Sequence, residues 1–212
     1  MKKLSLLFLS SIFLFASCAS DDDVVTEVEN EQELITTVIV ELISDSDDVD
    51  LSWEDLDAED DADPEITGGT LLPNTTYTGY IELLNENAEE EDHDEEEEEE
   101  EEEGHEHDHG YDVTEEIEEE AEDHQFFFTT TGDLDVTINY VDEDANGNPI
   151  GLEFTLVTGD VSEGELEVLL LHEPDKFAEG VSEGDATNAG GEVDIDVSFP
   201  ITIAYPEVIA VE

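Results

Sequence analysis

The chain has almost no positive charge. It contains no arginine and three lysines, against 66 aspartates and glutamates in 212 residues. Proteins that hold nucleic acid or anionic headgroups do so by neutralising phosphates with Lys and Arg, so this chain repels both. Cysteine is nearly absent as well. Cys18 stands alone, so no disulfide can form within the chain and the core has to hold the fold. No apolar run reaches the ~20 residues of a membrane-spanning helix. Signals for catalysis are wanting too: there is no Gly-rich phosphate loop and no His-Glu-x-x-His on a predicted helix. Where acids are everywhere, a pair of carboxylates identifies nothing. A non-enzymatic protein is expected.

What is present begins at the N-terminus. Met1-Lys2-Lys3 precedes an apolar run from Leu4 to Phe15, then Ala16-Ser17-Cys18. A basic start, a short apolar stretch and small residues form an export signal. Phe15-Ala16-Ser17-Cys18 resembles a bacterial lipobox, in its relaxed form similar to those of Bacteroidota. Residues 1–17 then read as a lipoprotein signal peptide. The resemblance implies that Cys18 is acylated and becomes the mature terminus. One acyl chain anchors weakly, and the multiple acylation of such cysteines would hold. The bland alternative is a buried thiol beside a cleaved leader. Ala19-Ser20-Asp21-Asp22-Asp23 opens an acidic tether that, with Cys18, fills residues 18–32. It resembles the export tag of surface lipoproteins in Bacteroidota, which implies the outer face of the outer membrane. A flexible linker on the periplasmic face is the alternative.

Residues 33–212 read as one β-domain. Apolar residues alternate with acidic or other polar ones in Val49–Trp53, Leu134–Tyr140, Leu152–Leu156, Leu166–Leu170 and Val193–Phe199, Thr75–Leu84 carries Tyr77, Ile81 and Leu83 on one face, and Leu34–Ile43 is rich in Ile, Val and Thr. This period of two predicts half-buried antiparallel strands. In the last, Val193, Ile195, Val197 and Phe199 are expected inward, with Asp194 and Asp196 in water. Phe126-Phe127-Phe128 predicts a strand buried on both faces. Seven to nine short strands argue for a β-sandwich. Leu71-Leu72-Pro73-Asn74-Thr75-Thr76-Tyr77 resembles the Leu-x-Pro-x-Thr-x-Tyr signature of fibronectin type III domains. That implies an Ig-like sandwich with Tyr77 as a tyrosine corner. Val113, Ile117 and Ala121 recur at helical spacing, so one short helix is expected between Asp112 and His124, capped by Asp112 or Thr114.

Residues 87–110 interrupt this domain. Asp92-His93-Asp94 and nine glutamates, Glu95–Glu103, lead into Gly104-His105-Glu106-His107-Asp108-His109-Gly110. Like charges in such blocks predict a disordered loop. In an extended chain His105, His107 and His109 fall on one side, and Asp108 or Glu106 completes a nitrogen and oxygen set suited to zinc. His93 belongs to the same stretch. His124, beside Asp123, is a candidate to join it. The composition resembles the His-rich acidic loops of bacterial zinc-uptake proteins. The alternative is a solvated insert whose histidines are incidental. A calcium candidate is Asp142-Glu143-Asp144-Ala145-Asn146-Gly147, followed by Glu153, which spells an EF-hand loop with Asp142, Asp144 and Asn146 as ligands. Strands flank it, however, and Asn146-Gly147 signals a hairpin turn with no metal. His172 reads as an ordinary half-exposed residue at a strand end.

The expectation is a lipoprotein whose sandwich carries a cation-collecting loop. Flavobacterial proteins that it resembles imply an accessory to a TonB-dependent receptor. The rival is an interaction or adhesion module whose acid loop serves solubility. A periplasmic-binding-type solute receptor ranks last, because the strand pattern fits a two-lobed α/β fold poorly.

Overall fold

A strand that alternates apolar and acidic side chains has one face to bury and one to solvate, and two sheets of such strands satisfy each other by stacking. The computed structural model, which describes residues 34–56, 63–88 and 111–206, has this arrangement. Its elements are β1 (Thr37–Ile43), β2 (Asp48–Glu54), β3 (Glu65–Thr67), β4 (Gly69–Leu71), β5 (Thr76–Asn85), β6 (Tyr111–Asp112), α1 (Val113–Glu119), β7 (His124–Gly132), β8 (Val136–Tyr140), β9 (Glu153–Thr158), β10 (Ser162–His172) and β11 (Glu192–Ile203). One sheet runs β3-β2-β1-β5-β9-β8, with β6 also on β5; the other runs β4-β11-β10-β7. Among the described residues the pairings are antiparallel except β4 with β11. The protein is an all-β, sandwich-like fold. Its described strands number eleven, above the seven to nine expected. The surplus is β3, β4 and β6, two or three residues each and too short to show alternation.

One core joins the sheets. It takes Val38, Val40 and Leu42 from β1, Tyr77, Ile81 and Leu83 from β5, and Phe154 and Leu156 from β9. Facing them are Phe126, Leu166, Val168, Leu170, Ile195, Val197 and Phe199. Full burial of one such side chain contributes about 1.5–3 kcal/mol. Gly79 lies opposite Phe154 across β5 and β9, and a Cβ there would meet the Phe154 ring at 2.3 Å. The absent side chain is the space that the ring fills.

The second sheet is covered on its other face too. Phe127 and Leu171 pack with Val181 and Ala189 of the segment linking β10 to β11. Phe126 and Phe127 are thus buried on opposite faces, as the triple Phe predicts. At the expected tyrosine corner, the Tyr77 hydroxyl accepts from Leu72 N at 2.8 Å and donates to Asp47 Oδ2 at 3.0 Å. Burial, above all, pushes this phenol up to about 12. The helix is shorter than its periodicity: Asp112 caps it by accepting from Thr114 N, and it stops at Glu119.

Candidate functional site

The end of the second sheet holds the least ordinary chemistry among the described residues. His124 opens β7 and His172 closes β10, and the two lie directly opposite each other. Both extend the inward parity of their strands, Phe126 and Phe128 in one case and Leu166, Val168 and Leu170 in the other. His172 is 3 % exposed, so the half-exposed position expected for it is corrected: parity carries it inside. The rings meet edge to face, with centroids 4.5 Å apart.

A third group arrives through an irregularity. Between β10 and β11 the register passes from Leu170↔Ile195 to Leu171↔Val193, leaving Asp194 as the extra residue of a β-bulge. A bulge slips the phase of a strand and re-aims a side chain. Val193, expected inward, is therefore 50 % exposed, while the Asp194 side chain, expected in water, is fully buried. Gly191 brings β11 up to this point. Its φ is +77°, and a Cβ would lie 2.4 Å from the His172 carbonyl oxygen, so a side chain is excluded twice over.

The three groups converge. Asp194 Oδ2 lies 3.9 Å from His124 Nε2 and 3.9 Å from His172 Nδ1. One ligand atom from each residue falls within 4.8 Å of the others. His124 Nδ1 is 3.2 Å from the Glu120 carbonyl. A carbonyl only accepts, so Nδ1 carries the proton and Nε2 presents its lone pair to Asp194. Neither His124 Nε2 nor either Asp194 oxygen has a hydrogen-bond partner among the described residues. Burial pushes the Asp194 carboxyl up to about 6, with His172 opposing. Burial likewise lowers the His124 imidazole below its ordinary value.

Lys176 stabilises the same corner. Its Nζ donates to the Ala121 carbonyl at 2.6 Å, to Asp144 Oδ2 at 3.1 Å and to the Pro149 carbonyl at 3.2 Å. It thereby ties the turn that carries the Glu120 carbonyl to the EF-hand-like loop. In that loop Asp144 Oδ1 accepts from Asn146 N and Asn148 N, and Asp142 accepts from Gly151 N and Glu153 N. Gly147 takes φ +82° in a turn closed by the Glu143–Pro149 bridge. The Asp142 and Asp144 carboxylates are occupied in shaping this turn, and the nearby cation is an ammonium.

Of the metal candidates named from the sequence, His124 is thus gathered with His172 and Asp194, which the sequence placed at a half-exposed strand end and in water. His93, His105, Glu106, His107, Asp108, His109 and Cys18 lie outside the described residues. Gly180-Val181-Ser182-Glu183-Gly184 spells the Gly-x-Ser-x-Gly of a nucleophile elbow. It forms a 3-10 turn with no strand-to-helix context, and the Ser182 hydroxyl donates to its neighbour Glu183 at 3.2 Å. Comparison with protein-family models, curated proteins and solved structures found no match.

Proposed function

We propose that this chain is a non-enzymatic, lipid-anchored protein on the outer face of a bacterial outer membrane that collects divalent cations, zinc foremost, for a TonB-dependent receptor. The carrying observation is electrostatic. After Lys3 the chain has one Lys or Arg, Lys176, and it is 3 % exposed and bonded to Asp144. Every exposed Lys, Arg, Asp or Glu among the described residues is therefore acidic. Such a surface concentrates counter-ions, and divalent ions most strongly. The acid and His segment adds nitrogen ligands. The chain leaves the first sheet at Asn85 and resumes it at Tyr111, and these two residues pair across β5 and β6. The residues that flank the segment are therefore held side by side in the first sheet.

The leader pattern supports the anchor at Cys18, and resemblance supports the receptor. No helix among the described residues is long and apolar enough to cross a membrane. The Tyr77–Leu72 bond supports an Ig-like or fibronectin-like form of the sandwich. Phe177, 77 % exposed, and Tyr205, 70 % exposed, favour the second reading, an adhesion module. Calorimetric titration with zinc and calcium separates the two. A chain lacking residues 87–110 is expected to lose most of its zinc capacity at low salt. Equal binding by both chains removes the loop from the function and leaves adhesion.

A further inference from the structure

We propose that His124, His172 and Asp194 form a mononuclear site for a borderline transition-metal ion, zinc(II) the representative, inside the folded body and separate from the acid and His segment. Two acceptors, His124 Nε2 and Asp194 Oδ2, face each other at 3.9 Å in a place where neither side chain is exposed. Buried acceptors without hydrogen-bond partners are costly, and a cation set between these two would be bonded by both. His172 Nδ1 stands 3.9 Å from the same oxygen, on the side that completes a three-point set. Zinc bonds of about 2.0–2.1 Å place tetrahedral ligand atoms roughly 3.3 Å apart, so the two 3.9 Å separations would each shorten by about half an ångström, and the two imidazoles, whose ligand atoms lie within 4.8 Å of each other, would close on the ion as well.

The donor set selects the ion class. Calcium and magnesium take oxygen shells, whereas two imidazoles and one carboxylate suit zinc and its neighbours. The surroundings are those of a ligand rather than a stray histidine. The Glu120 carbonyl fixes the His124 tautomer, and Lys176 holds the adjoining Ala121 carbonyl, so the ring arrives oriented. The bulge at Asp194 supplies the charge where regular pairing would turn it to solvent. The ion would tie β7, β10 and β11 together at one end of the sheet. This gives it a structural role in the body, distinct from capture at the surface.

The test uses the full chain with His93, His105, His107 and His109 each replaced by Gln. His124 and His172 are then the only histidines left of six. The protein is equilibrated with zinc, then passed through buffer at about 1 M salt, where weakly held surface ions are screened away. Metal analysis is expected to find about one zinc per chain, and X-ray absorption to show two imidazoles on it. Asp194→Asn in this background is expected to weaken zinc binding by a factor of ten or more. Zinc absent after the salt step, zinc held without imidazole scattering, or an unchanged affinity in Asp194→Asn would each overturn the proposal. Should Asp194→Asn not fold, the absorption spectrum of its parent decides alone. The loop reading fails separately: it falls if the four Gln replacements leave low-salt zinc capacity unchanged, whatever the inner site does.

Discussion

Asp194 carries its carboxyl where water does not reach, and that has a measurable sign. Its folded pKa of about 6 lies above the ordinary 3.8. Between those values the folded chain keeps a proton that the unfolded chain has lost. The stabilisation is fully present below pH 3.8 and is lost as pH rises through about 6, a change of about 3 kcal/mol. The lowered His124 pKa works oppositely, its stabilisation being lost as pH falls. The difference between wild type and Asp194→Asn isolates the carboxyl. With a chelator present, Asp194→Asn should be the more stable protein at pH 7.5, with the gap closing towards pH 4. Urea titrations at the two pH values check this, and a gap of the opposite sign would refute it. Lys176 makes a second case at the same scale. Its side chain is 2 % exposed and that of Asp144 is 0 %. Lys176→Met leaves a buried carboxylate without its cation and should cost about 3–5 kcal/mol, whereas replacing both partners with apolar residues should recover most of it. Denaturation midpoints of the single and double variants decide whether the pair or the packing matters.

At the scale of elements, what could be read in advance followed from parity. β10 shows its inward face as Leu166, Val168 and Leu170 between glutamates, and the same parity, carried two residues further, places His172 inside. With the like parity of His124 ahead of Phe126 and Phe128, it was the signal in the sequence for the buried site. Asp194 gave none, because a bulge inserts a residue and the alternation after it no longer predicts the face before it. Strand neighbours were equally hidden. That β5 lies between β1 and β9 is settled by contacts far apart in sequence, and alternation within a strand is silent on them. The helix start was legible through its cap at Asp112. Its end was not, because the spacing of Val113, Ile117 and Ala121 would continue a helix that in fact gives way at Glu120 to a turn leading into β7. The link from Leu72 to Tyr77 was legible as a motif and can be tested as an element. Tyr77→Phe leaves Leu72 N without its acceptor and should cost about 1–3 kcal/mol, read as a lower thermal midpoint. An unchanged midpoint would mean that water takes over the bond.

The whole molecule sets charge against cohesion. A formal charge of −63 resides on 212 residues, and folding brings the acids on the solvent faces of the strands closer together than they lie in the unfolded chain. The repulsion therefore opposes the folded state. With Lys176 consumed internally, the described surface has no Lys–carboxylate pairs for salt to weaken, so screening acts almost wholly on repulsion. At 0.15 M ionic strength the screening length is about 8 Å and at 1 M about 3 Å, which spans the spacing between strand-borne acids. Thermal stability should rise steadily with sodium chloride and show no early fall. It should rise further, at equal ionic strength, with calcium, which neutralises as well as screens. In Asp194→Asn the calcium response should persist while a zinc-specific increment disappears, because the first belongs to the surface and the second to the buried triad. Midpoints measured across sodium chloride, calcium chloride and zinc chloride at matched ionic strength separate the two. A midpoint that falls with salt would show that attractive pairs, and not repulsion, govern this fold.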